Sequence, residues 1–254
     1  MADFKTHIST STTLGIAYGT GAYFLFNMEA QDCMVAAGLC SLAGMLPDLD
    51  SDSGVPVRET LCFVSAVIPM LMVRRFAEMG MSPETMVLAA AVIYVGIRFG
   101  VGEIFKRYTV HRGMWHSIPA ALIAGMVAFL VCLSNDFGIR MFKAWAVVMG
   151  FLSHLILDEL YSIDLGGKRI RIKKSFGTAL KFWRHNSLWA NISTYGKLII
   201  LAFLIAGDAT VMKKFNREPI EIPFSARDWI LDRFGGEKDS SDPNAAPPGE
   251  NILR

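Results

Sequence analysis

Six apolar runs follow one another along this chain, Leu14 to Met28, Cys33 to Leu46, Leu61 to Val73, Met86 to Phe105, Ile118 to Leu133 and Ala144 to Leu160, each bounded by Gly, Pro or charge. A helix at the surface of a soluble bundle keeps a polar stripe at a 3.6-residue period. Val87 to Gly96 and Ala120 to Val131 have almost no such stripe. The natural solvent for such segments is lipid. Composition agrees: 52% of the 254 residues are hydrophobic and only 19% are charged, with a mean hydropathy of +0.37. Several runs hold only 13 to 17 residues, fewer than the roughly 20 a spanning helix needs, so helices buried in a soluble bundle are the alternative. The density of the runs favours an all-α, multi-pass transmembrane helical bundle.

Punctuation marks where these helices start. Ser82-Pro83-Glu84 and Ser117-Ile118-Pro119 each place a capping hydroxyl just before a proline in the first turn, where the missing N–H does no harm. Gly15 to Gly21 and Gly38 to Gly44 are rich in small residues, which lets helices approach closely in lipid. The run from Leu14 could pass for a signal peptide, but Met28-Glu29-Ala30 lacks a small-x-small cleavage pattern, so removal is not expected. Cys33, Cys40, Cys62 and Cys132 lie in apolar stretches without C-x-x-C spacing and read as small buried hydrophobes.

Three regions are expected. Residues 1–165 form the membrane-embedded domain. Residues 166–234 open with the basic stretch Lys168 to Lys174 and continue through Phe176, Phe182, Trp183 and Trp189, an interfacial amphipathic extension. Leu198 to Ala206 is too short an apolar run to read as a span. Residues 235–254, rich in Asp, Ser, Pro and Gly, form a disordered tail. The formal net charge of +2, spread over loops, does not favour nucleic acid.

If the six runs alternate direction, as short connections require, one membrane face collects His7, the Asp48 to Asp52 segment, the His111 to His116 segment, His154 and Asp158. The other face receives Glu29, Asp32, Glu78 and Asp136 but no histidine. The histidine face also collects Lys5, Arg58, Lys106, Arg107, Arg112 and the Lys168 to Lys174 cluster. By the positive-inside rule it is cytoplasmic.

His154 and Asp158, at i and i+4, share one helix face and can converge on one cation; a helix–helix hydrogen bond is the bland alternative. Ionisable groups inside membrane helices are costly and usually functional. Asp48, Asp50 and Asp52 project to one side of an extended segment and repel one another unless a cation lies between them; the alternative is a polar turn with helix caps. A calcium loop fits poorly, because Gly54 is seventh from Asp48 where that loop needs a glycine at the sixth position. His111 and His116, five apart, cannot share a helical face, so at least one lies in the loop before Ser117. Imidazoles with carboxylates make a donor set suited to zinc or manganese. Arg112 can pair with a phosphate oxygen, although a lone loop arginine is more often a solvated charge. Glu103 reads as an ion-pair partner of Lys106. G-x-S-x-G is absent from the sequence, so a serine-hydrolase motif does not compete.

In combination, Thr6-His7, Leu46-Pro47-Asp48-Leu49-Asp50, His111-Arg112, Trp115-His116-Ser117, Ser153-His154 and Asp158 resemble the family of LexA-binding, inner membrane-associated hydrolases, also described as membrane-bound metal-dependent hydrolases. The resemblance covers roughly residues 1 to 165 and is similar, at a distance, to zinc-dependent phospholipase C. It implies His7, Asp48, His111, His116, His154 and Asp158 as ligands of a divalent metal, zinc or manganese. Asp50 would be a further ligand or support the others. The implied activity is hydrolysis of a phosphoester or lipid-like substrate at the inner membrane. The alternative from a different class is a non-enzymatic membrane protein in which the same donors hold a structural metal or the basic segment binds a regulator.

Overall fold

The computed structural model describes residues 3–50, 55–101, 103, 114–164, 171–172, 180–184 and 187–215; side chains at 50, 55, 56, 101 and in two short strands fall outside that description. The fold is all-α. In chain order the helices are α1 (Phe4–Phe26), α2 (Ala30–Ala43), α3 (Val55–Glu78), α4 (Pro83–Val95), α5 (Ile118–Val131), α6 (Phe137–Leu160), α7 (Leu188–Ala206) and α8 (Ala209–Lys214). A 3-10 turn, Leu46–Asp50, follows α2, and a π turn, Gly96–Val101, extends α4. Two short strands, β1 (Ile163–Asp164) and β2 (Arg171–Ile172), pair antiparallel.

Caps set these boundaries as the sequence suggests. Ser82 accepts from the Thr85 N–H at 3.3 Å and Ser117 from the Ala120 N–H at 3.4 Å, each satisfying one of the orphan donors of a first turn. α1, by contrast, starts ten residues ahead of its apolar run. Asp3 caps it, accepting from the Thr6 N–H at 2.9 Å, and its first turns are polar because His7 and Ser11 are buried against neighbouring helices rather than lipid.

Burial decides between lipid and water. Four helical segments are long and apolar enough to cross a membrane: Val57–Glu78, Pro83–Gly100, Phe137–Leu160 and Leu188–Ala206. α4 has no buried residue, and its Val87 is 70% exposed. In water such a face would be a large apolar patch of the kind soluble monomers avoid; in a bilayer it is simply solvated. Cys33, Cys40 and Cys132 are buried, as expected, but Cys62 is exposed on the outer face of α3, where a bilayer removes the penalty.

At the centre, α1, α2 and α6 pack backbone to backbone. A Cβ at Gly15 would come within 2.5 Å of the Ala37 carbonyl and one at Gly19 within 2.7 Å of the Cys33 carbonyl, while one at Gly150 would collide with the Cys40 carbonyl. Ser11 also donates to the Ser41 carbonyl at 3.0 Å. Gly150→Val is therefore expected to prevent α2 and α6 from closing. Size-exclusion chromatography in detergent should show loss of the monodisperse species, with Gly21→Ala, whose added Cβ would meet nothing within 4 Å, as the tolerated control.

The start of α5 and the end of α6 share one end of the bundle with the start of α1 and the end of α2. α7 runs from that end to the other. Near its start, the Ile118 N–H donates to the Lys181 carbonyl at 3.2 Å; past its finish, Asp208 pairs with Arg140 in the first turn of α6. Leu198 to Ala206 is thus the second half of a 19-residue helix. Asn191, Ser193, Thr194 and Lys197 interrupt the apolar pattern of its first half, which is why the sequence alone suggests too short a run. Trp189, expected at the interface, belongs to the first turn of this helix.

Candidate metal centre

Four segments that alternate along the chain meet at one end of the bundle. His7 comes from the first turns of α1, Asp48 from the 3-10 turn after α2, His116 from just ahead of the α5 cap, and His154 and Asp158 from the last turns of α6. His7, His116, His154 and Asp158 are no more than 2% exposed. The Asp48 side chain, 15% exposed, is the one member of the group open to its surroundings.

The rings are in contact. His7 stacks on His154 with centroids 3.6 Å apart and planes 12° from parallel, and His116 meets His154 edge to face at 5.7 Å. His7 Nε2 lies 3.4 Å from Asp158 Oδ1, and His154 Nε2 lies 3.6 Å from Asp48 Oδ1. His154 Nδ1 is 2.8 Å from the Gly44 carbonyl. A carbonyl can only accept, so Nδ1 carries the proton and Nε2 keeps its lone pair, the tautomer a metal ligand requires.

Two trios of donor atoms result: His7, His154 and Asp158, and Asp48, His116 and His154, with the atoms of each trio within 4.8 Å of one another. His7 Nδ1 and His154 Nε2 are buried without a hydrogen-bond partner among the described residues. An unsatisfied buried polar atom costs about 1–3 kcal/mol, so a cation here would relieve a penalty. The donor set fits a divalent ion of zinc or manganese type.

Residues that bear no ligand hold the cluster in shape. Trp115 Nε1 donates to the Leu46 carbonyl at 2.8 Å, tying the segment of His116 to the turn of Asp48. Beneath them Trp115 packs edge to face on Phe151, with centroids 6.0 Å apart, over a floor of Ala120, Ala121, Phe151 and Leu155. Gly44, whose carbonyl sets the His154 tautomer, leaves no room for a side chain: a Cβ there would collide with Ser11. Its role escapes sequence reasoning, and its only signal is its place in a stretch of small residues.

His111 and Arg112 lie outside the described residues, as do Asp52, the side chain of Asp50, and Lys106, the expected partner of Glu103. The extension from 173 to 179 and the tail from 216 onward, including residues 235–254, also lie outside them.

A bundle faced with apolar side chains, with a buried group of three imidazoles and two carboxylates at one end, defines a helical integral membrane protein with a polar cluster inside. The chain belongs to the YdjM inner membrane protein family, whose profile it matches over residues 1–206. The match continues past Gly166 to the end of α7, so the family extends beyond the first 165 residues. The apolar helices and the family together place this protein in the inner membrane. No curated protein and no solved structure matches the chain.

Proposed function

We propose that this protein is a membrane-bound, metal-dependent hydrolase of a phosphoester carried by an amphiphile. The observation that carries the reading is the pair of His–Asp separations, 3.4 and 3.6 Å. Charge-assisted hydrogen bonds are about 2.7–2.9 Å long, so both pairs are stretched for direct contact. Two donors that share a tetrahedral ion at about 2.1 Å stand roughly 3.4 Å apart. These separations favour donors arranged around a cation over donors arranged for each other.

The trios share His154, which with Nδ1 committed to Gly44 has one ligand nitrogen, and a neutral imidazole offers one acceptor lone pair. An ion held through His154 therefore completes its shell from one trio, with the donors of the other trio beside it. When bound, a divalent ion supplies a water of lowered pKa and stabilises negative charge on a phosphoryl or acyl group. His7, Asp48, His116, His154 and Asp158 supply the ligands; Asp48, on the open side, sits where substrate arrives. His111 as a further ligand and Asp50 as ligand or support complete the assignment on the strength of the sequence resemblance, and Arg112 on a phosphate oxygen on the chemistry of its guanidinium. The basic residues that alternation of the runs assigns to this end favour a cytoplasmic site.

Purified protein in detergent is expected to hydrolyse bis-(p-nitrophenyl) phosphate, to lose that activity with a chelator and to regain it with zinc or manganese. Absence of turnover by metal-loaded protein across a panel of phosphoesters would leave the second reading. That reading is a structural metal, favoured by the near-complete burial of four of the five donors, since structural zinc sites are closed by protein ligands and catalytic ones keep a position open. Regulator binding through Lys168 to Lys174 is compatible with either.

A further inference from the structure

Beside the cluster, α2 and α3 do not close on each other. Val35, Gly38 and Leu42 on α2, with Met45 just past its end, face Phe63 and Val67 on α3 across a cleft of about 390 Å³, a volume in the range of small-molecule sites. Gly38 stands in the middle of the α2 wall, and a Cβ there would meet nothing within 4 Å. The same test at Gly15, Gly19, Gly44 and Gly150 finds backbone or side chain at 2.7 Å or less. Those glycines are there because helices touch; Gly38 is exposed and borders the open cleft.

The cleft lies beside the cluster. Ile8, which lines it, follows His7 in the chain. Met45, which also lines it, accepts from the Asp48 N–H through its carbonyl at 3.2 Å and adjoins Gly44, the residue that orients His154. Its far wall is a helix long and apolar enough to span the membrane, so the medium around it is hydrocarbon. A cation-binding end joined to an apolar slot within lipid matches one kind of molecule, with a charged head and a hydrocarbon tail.

We propose that the cleft between α2 and α3 holds the acyl chain of a phospholipid whose phosphate lies at the His/Asp cluster. This rests on the metal-site reading and adds that substrate enters sideways from the bilayer. Asp48, the most exposed donor, is tied to the lining through its N–H, which donates to the Met45 carbonyl. The tail occupies the α2 side by apolar burial, and the phosphate is selected by the cation.

The test uses the full chain in nanodiscs containing phosphatidic acid with a diazirine in its acyl chain. Photolysis and peptide mapping should concentrate label on the facing residues of α2 and α3, above the level on the lipid-exposed faces of α4 and α7. Gly38→Phe, which fills open space, should lower cleft labelling about tenfold or more while elemental analysis finds the metal retained. A diacylglycerol probe with the same diazirine chain should label the cleft several-fold less. Equal labelling of all lipid-facing helices, or labelling unchanged in Gly38→Phe, overturns the slot. Equal labelling by the two probes overturns its link to the cluster. Preferential cleft labelling of a wild-type chain that contains no metal keeps the slot and removes the hydrolase reading, so the two failures are distinguishable.

Discussion

His154→Ala is expected to empty the metal centre, taking purified protein from about one divalent ion per chain to background by elemental analysis. The size of the effect follows from position. His154 belongs to both donor trios, it is fully buried, and its Nδ1 bond to Gly44 at 2.8 Å fixes the ring before any ion arrives. His154→Gln, which keeps a polar group but not an imidazole, should not restore binding. Asp158→Ala removes a member of one trio only and should lower metal content less than His154→Ala. Full metal retention in both alanine variants would refute the assignment. Normal elution of each variant in detergent would separate loss of ligand from loss of fold.

Arg140→Met is expected to give the largest loss of stability away from the cluster. Arg140 is 1% exposed, and every contact of its guanidinium is specific. Nη1 and Nη2 donate to the two carboxylate oxygens of Asp208 at 2.6 and 2.9 Å. Nε and Nη2 donate to the Phe129 carbonyl at 3.1 and 2.9 Å, and Nη1 donates to Thr210 at 2.9 Å. The guanidinium carbon also sits 4.2 Å over the Phe129 ring. This one side chain joins the end of α5, the start of α6 and the turn between α7 and α8. Removing one partner of a buried pair typically costs about 3–5 kcal/mol, because Asp208 and a carbonyl lose their donors. Thermal unfolding in detergent should register a marked fall. Arg74→Ala is the control: its pair with Glu78 at 3.2 Å is about half exposed, and such pairs contribute about 0–1 kcal/mol. Comparable melting of the two variants would contradict the clamp.

The same clamp predicts a pH dependence. Burial acts to raise the pKa of Asp208, but hydrogen bonds and charge from Arg140, with bonds from Thr210, outweigh it, and the net shift is downward. A carboxylate whose pKa is lower folded than unfolded contributes stability that is complete above the unfolded value, about 3.9, and fades as pH falls through the lower folded value. Acid destabilisation should therefore be smaller in Asp208→Asn than in wild type. An unchanged acid limb in that variant would argue that other carboxylates govern it.

The membrane character and the starts of α4 and α5 were legible from the residues. Apolar runs with no polar stripe have only lipid as a compatible solvent, and Ser82 and Ser117 announce their helices through local chemistry confined to one turn. The proposal that His7, Asp48, His116, His154 and Asp158 share one end needed only alternating helices, because direction is a property of connectivity. Everything that depends on distance was hidden. The stack of His7 on His154 follows from how closely α1, α2 and α6 approach, which Gly15, Gly19 and Gly150 set against backbone carbonyls that no one-dimensional pattern reveals. The span of α7 was hidden for the same reason: its first half carries polar groups satisfied by contacts, such as Asn191 with the Arg184 backbone at 2.8 Å. Sequence thus determined which solvent this chain prefers and which end of the bundle His7, His116 and His154 reach, because both depend on local pattern and order. The tertiary structure alone decided which nitrogen of His154 is available, which donors touch, and where a slot opens between α2 and α3, because those depend on packing between segments far apart in the chain.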